Sequence, residues 1–363
     1  MNKKEKKSTA INSIGMFDLA KGILMLAIII GHAVTDFFHY WEYSFRVNVG
    51  LAFLGSLISV LMYGLIPMFY MICGYGFRKT TMNQSIKNQF RYFWKPYVIV
   101  VIATTMIVIV KKLITAGDVL EGLQYQVLPY FFAFCPGGRE LFGIYMDSIG
   151  PIWFFWVFVT AGILLNVVLQ EKQLWVQCVL VSALGFVGVN MRDMILPLCI
   201  QQTMICCGYM FIGWVMKKQG FLDKRFPAYL MILLMIFCIA EMLLGGNIEI
   251  SQNVYANGMS DLVMSYGMGI LFFYVFSNFS NLSGVFSEKV RWIGRNTLYF
   301  CCVHTVAYTV IPWEKLATSL QDQRVWGIVL ELILQLMIAV VGCVIILKIQ
   351  EKVRRISNGQ KRD

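Results

Sequence analysis

Apolar runs long enough to cross a bilayer recur along almost the whole 363-residue chain, and no soluble core has room for all of them. Stretches of about 18 or more apolar residues fall near 14–37, 49–75, 95–114, 151–169, 174–190, 195–216, 228–245, 260–278, 297–313 and 325–349. The expected fold is therefore an all-α integral membrane protein of about ten transmembrane helices. Hydrophobic residues make up 58% of the chain and charged residues 14%, with a mean hydropathy of +0.66, which excludes an ordinary soluble domain.

The net charge of +11 would suit a nucleic-acid binder if it were pooled on one surface, but it alternates with the spans, as the positive-inside rule requires. Lys3, Lys4, Lys6 and Lys7 precede the first span. Arg78, Lys79, Lys87, Arg91 and Lys95 fill the second connection, Lys217, Lys218, Lys224 and Arg225 the sixth, and Lys289, Arg291 and Arg295 the eighth. Lys352, Arg354, Arg355, Lys361 and Arg362 follow the last span. With ten spans all of these share one side, while segment 246–260 on the other side has no Lys or Arg. Both termini are thus expected to be cytoplasmic. The chain divides into a basic N-terminus (1–13), a transmembrane domain (14–349) and a basic tail (350–363). Asp18 and Lys21 interrupt the first apolar run and no small-residue cleavage site follows, so this segment is expected to stay as an anchor.

That first span carries the main chemical signal. Met16–Ala33 is apolar except for Asp18, Lys21 and His32, and ionisable groups at membrane depth mark function. At 100° per residue, Lys21 and His32 lie within about 20° of each other, and Asp18 and Asp36 within about 40° of His32. One polar stripe runs down a greasy helix, with His32 roughly 16 Å beyond Lys21. Asp36, one turn on, is placed to orient the imidazole as a general base. The bland reading of His32 is a hydrogen bond to a neighbouring helix.

Other polar features are open to two readings each. The external stretch 115–150, with Arg139, is either a lid or re-entrant element or an aromatic-belt loop. The basic and aromatic connection around Arg78, Lys79, Arg91 and Lys95 either enforces topology or binds a phosphorylated cytoplasmic ligand. Glu241, His304 and Glu331 lie within spans as helix-to-helix partners or parts of a site. The ten cysteines show no zinc-type spacing and read as apolar packing. No metal site is expected.

Phe17-Asp-Leu-Ala-Lys-Gly-Ile23 followed by Gly31-His32 places a Lys, ten residues and a His in one span. This resembles the Arg/Lys-x10-His signature of the integral membrane acyltransferase-3 family, with wording closest to its fucose 4-O-acetylase-like branch. Cys73-Gly-Tyr-Gly-Phe77, Pro151-Ile-Trp-Phe-Phe155 and Gly294-Arg-Asn-Thr-Leu-Tyr299 with His304 follow in the family's order.

The resemblance implies transfer of an acyl group, usually acetyl, from cytoplasmic acetyl-CoA to a hydroxyl of a cell-surface or lipid-linked glycan in the bacterial cytoplasmic membrane. It makes His32 the catalytic histidine and Lys21 its paired basic residue; Asp18 and Asp36 join them on geometry alone. Arg91 and Lys95 approximate the family's Arg-x-x-Arg motif, one residue wider, and with Arg78 and Lys79 are the expected donor-binding residues. Trp153, Arg139, Glu241, Asn296 and His304 are candidate site-lining residues. No permanently bound cofactor is expected. The partners are acetyl-CoA, the glycan acceptor and membrane lipids, not nucleic acid. No SGNH-type hydrolase domain is appended, so transfer is expected to finish within the membrane domain or with a partner protein. The rival class is a transporter or glycolipid flippase, for which intramembrane charges are also typical, but the second half shows no counterpart of the Asp-x-x-Lys-Gly…His element. A scaffold without chemistry leaves the Lys21 and His32 spacing unexplained.

Overall fold

The computed structural model describes residues 15–34, 49–135, 138–194, 196–222, 227–279, 282–320 and 325–359. Each apolar stretch read from the sequence is a helix: α1 (Gly15–Val34), α2 (Val49–Gly76), α3 (Met82–Ile114), α6 (Trp153–Val168), α7 (Leu174–Asn190), α8 (Ile200–Lys218), α9 (Ala228–Leu243), α10 (Met259–Asn278), α12 (Thr297–Val310) and α14 (Val325–Gly359). Among the described residues, five segments are long and apolar enough to cross a membrane by length and composition: Gly15–Val34, Phe93–Ile114, Gly150–Val168, Met259–Asn278 and Trp326–Val353. Between them lie short helices α4 (Val119–Gln126), α5 (Leu128–Phe132), α11 (Val285–Arg295) and α13 (Trp313–Leu320), and two hairpins. The protein is mostly helical, as expected, with very little sheet.

The helices sort by what they face. α6 is buried over most of its length, whereas α3, α9 and α14 expose apolar rows such as Ile99, Ile102 and Met106, Leu233 and Ile236, and Met337 and Val341. In an apolar solvent such rows cost nothing, so the peripheral helices read as lipid-facing. Inside, α2 and α8 approach so closely that a Cβ on Gly74 or Gly213 would collide with the carbonyl of Met210 or Met71. Small residues permit this contact, and close packing replaces the hydrophobic drive that lipid removes. Two buried tyrosine hydroxyls tie helices together: Tyr70 Oη donates to the Phe154 carbonyl (2.8 Å) and Tyr209 Oη pairs with Ser265 Oγ (2.6 Å). Bonds of this kind contribute about 0.6–2 kcal/mol each in membranes.

Three boundaries differ from the sequence reading. α3 starts at Met82, not near 95, because nothing between Met82 and Lys95 breaks a helix and Pro96 is tolerated within it. α14 continues to Gly359, so much of the basic tail is helical. The stretch 115–150 is folded: α4 and α5 lead into hairpin β1 (Arg139–Leu141) with β2 (Ile144–Met146), and Tyr125 stacks on Tyr145 with ring centroids 5.9 Å apart. The second hairpin, β3 (Ile248–Glu249) with β4 (Val254–Tyr255), pairs Ile248 with Tyr255. Its turn holds Asn253 at φ +57°, a conformation asparagine tolerates.

Candidate functional site

α1 is held differently at its two ends. At the start, Asp18 and Lys21, one turn apart, form an ion pair of 2.9 Å. The backbone there is pressed against the junction of α11 and α12: a Cβ on Gly294 would collide with the Asp18 carbonyl, and one on Gly22 with that of Val290. The buried Arg291 guanidinium adds a clamp, its Nε donating to the Gly15 carbonyl (3.0 Å) and Nη2 to that of Leu282 (2.7 Å). Phe17 packs edge-on against Tyr75 near the end of α2 (5.5 Å), and Lys217 Nζ sits 6.0 Å over the Tyr75 ring. Arg78 and Lys79 follow directly on α2, about 20 Å along its axis from Tyr63. Both are exposed, as are Arg91 and Lys95, one turn apart on α3. Lys79 Nζ reaches the Gln170 carbonyl at 3.5 Å.

At the other end His32 is surrounded by aromatic rings. The His32 ring lies 5.3 Å from that of His304 and 4.8 Å from that of Tyr308, and His304 is 6.0 Å from Tyr308. His304 and Tyr308 share a face of α12 because they are four residues apart. His304 is buried, and its Nε2 has no hydrogen-bond partner among the described residues. Asp36 lies outside the described residues.

His32 also lines a cavity of about 500 Å³. Its walls come from α1 (Leu24 to Val34), α2 (Met62 to Pro67), the segment Pro151–Phe155 including Trp153, and Thr297 and Cys301 of α12. Its roof is the stretch Asn247–Ser251 at hairpin β3–β4. Tyr63 Oη donates to Asn247 Oδ1 (2.6 Å), tying α2 to this roof. Arg192 Nη1 donates to the Tyr255 carbonyl (2.8 Å), and the Cys135 thiol donates to that of Ser251 (3.0 Å). Burial pushes the Cys135 thiol well above its usual range, which keeps it protonated for that bond.

A model of a family described as an acyltransferase domain matches residues 14–348. The chain belongs to the acyltransferase-3 family. No curated protein and no solved structure matches it.

The site geometry redistributes the candidate residues. Of those named from the sequence, His32 and Trp153 are on the cavity wall of the acyltransferase, and His304 stands beside His32 without reaching the wall. Lys21 and Asp18 partner each other about 16 and 21 Å along α1 from His32. Glu241 is off the wall: its Oε1 accepts from Asn257 Nδ2 (3.0 Å) and Ser260 Oγ (2.7 Å), anchoring the segment after β4. Asn296 Nδ2 donates to the Trp292 carbonyl (2.8 Å) at the end of α11, and Arg139 sits in β1; neither lines the cavity. Buried Glu331 accepts from Gln335 Nε2 (2.8 Å) within α14. Sequence reading missed Tyr308, Lys217, Arg291 and the roof. Tyr308 was legible as the i+4 neighbour of His304; the roof carried no signal beyond its lack of basic residues.

Proposed function

We propose that this membrane acyltransferase moves an acetyl group from cytoplasmic acetyl-CoA to a hydroxyl of a cell-surface or lipid-linked glycan, as its wording close to the fucose 4-O-acetylase-like branch suggests. The observation that carries the reading is the position of His32: one helix runs from an ion-paired end, near basic residues of neighbouring elements, to a histidine on the wall of a cavity. On this reading ten helices cross a bacterial cytoplasmic membrane, both termini are cytoplasmic, and the hairpin roof faces outward, in keeping with the charge pattern.

Arg78, Lys79, Arg91 and Lys95, joined by Lys217, hold the CoA phosphates, and Tyr75 offers a face for the adenine. The pantetheine arm rises along α1. His32 takes the proton of the acceptor hydroxyl as its oxygen attacks the thioester carbon; the C–S bond breaks and the proton passes to the departing CoA thiolate. In a second route with the same groups, an imidazole nitrogen of His32 attacks the thioester carbon, the C–S bond breaks and CoA leaves as its thiol with the imidazole proton; the hydroxyl oxygen then attacks the acyl carbon, the C–N bond breaks and the hydroxyl proton returns to the imidazole. Lys21 neutralises Asp18 and shapes the ion-paired end; at about 16 Å from His32 it supports the donor, not the oxyanion.

The test uses purified protein in liposomes with radiolabelled acetyl-CoA and native lipid-linked glycans. Label on glycan with wild type, and none with folded His32→Ala, is the expected result. No label and no CoA release from wild type, with several acceptors tried, would sink the acyl-transfer reading in favour of a transporter.

A further inference from the structure

The cavity beneath the hairpin roof has a chemistry of its own. Its volume, about 500 Å³, is within the range of small-ligand sites and takes a sugar ring with part of its neighbour. Much of its lining is apolar, from Leu24, Met25, Ile28 and Ile66, and Trp153, Phe154 and Phe155 add aromatic surface of the kind that C–H groups of a pyranose pack against. Polar groups gather at the roof, where Asn247, Glu249 and Ser251 meet Tyr63.

The charge of the lining is one-sided. Among the described residues, the one carboxylate on the wall is Glu249, an exposed side chain at the rim whose Oε1 accepts from Ser251 Oγ (3.1 Å), and no Lys or Arg lines the cavity. An acidic sugar entering here would give up hydration without gaining a cation from the described wall and would meet Glu249 at the rim. A neutral pyranose has hydroxyls for the roof and an apolar face for the apolar lining.

Building on the acyl-transfer reading, we infer that this chamber is the acceptor subsite, that it takes an uncharged sugar, and that Glu249 turns away acidic ones. The roof is preformed for this: Arg192, Cys135 and Tyr63 hold its backbone and side chains from three sides. Preorganisation of that kind limits the ordering cost of binding a weakly held ligand.

Saturation-transfer NMR on the full-length protein in nanodiscs, with methyl β-glucoside and methyl β-glucuronide at equal concentration, tests the inference without turnover. The glucoside is expected to receive saturation on one ring face, and the glucuronide to bind about tenfold more weakly, or about 1.4 kcal/mol. Glu249→Lys is expected to raise the glucuronide signal relative to the glucoside, with Glu249→Gln doing so by less. Equal binding of both sugars by wild type, no specific binding of the glucoside, or a ratio that neither variant moves would each overturn it. Acetyl transfer measured on the same samples separates the two readings: the binding ratio without transfer upholds the subsite and sinks the reaction alone.

Discussion

The two ends of α1 show the same helix built for opposite purposes. The Asp18–Lys21 end is charged, ion-paired and locked by glycine contacts to α11 and α12, with Arg291 clamping the Gly15 carbonyl. The His32 end lies beside a cavity and touches aromatic rings, and no Lys or Arg among the described residues lines that cavity. On the proposed acyl-transfer reading, with the donor at one end and proton transfer at the other, this division is what the chemistry needs. Fixed positive charge serves binding, whereas a base works best where no neighbouring cation opposes its taking a proton.

The largest expected effect breaks the catalytic end: His32→Ala should lower transfer by about 10² to 10⁴-fold while leaving the gel-filtration profile unchanged. A comparable activity in the variant would remove His32 from the chemistry. Gly294→Leu should break the other end by forcing α1 from α11, destabilising the protein by about 1–3 kcal/mol or more, read as an earlier loss of the monodisperse peak on heating. An unchanged melting profile would show that the close approach carries little energy.

Lys21→Met tests whether the paired end serves the donor. It should raise the KM for acetyl-CoA more than it lowers kcat, with about a tenfold fall in kcat/KM, or about 1.4 kcal/mol. A pure kcat effect would instead place Lys21 in the chemical step. His304→Gln should lower kcat by several-fold, the loss of about 1 kcal/mol of positioning, with the acceptor KM little changed. Smallest is Lys217→Ala, where losing one exposed cation should cost at most about 1 kcal/mol, seen as a modest rise in donor KM and reduced salt sensitivity. A fall in kcat with the donor KM fixed would remove Lys217 from the donor end.

The helices were legible because lipid imposes a simple rule: every backbone group must be bonded within its own segment, so a long apolar run has one solution. His32 was legible because an imidazole at that depth is costly enough to need a reason. The roles of Glu241, Asn296 and Arg139 were not, since a polar residue in an apolar run looks the same whether it binds substrate or ties down a loop. Only contacts such as Glu241 to Asn257 and Ser260 separate the two.

Sequence alone therefore determined the all-helical membrane character, the polar stripe on the first span and the resemblance to the family, because these depend on local composition and spacing along one helix. Tertiary structure decided the rest. It brought His304 and Tyr308 of α12 to His32 of α1, set Lys217 over Tyr75, and placed the hairpin 248–255 over the cavity. Those pairings join segments up to some 276 residues apart, as in the bond from Arg291 to Gly15. They follow from which small residues let helices touch, a property that no single segment carries.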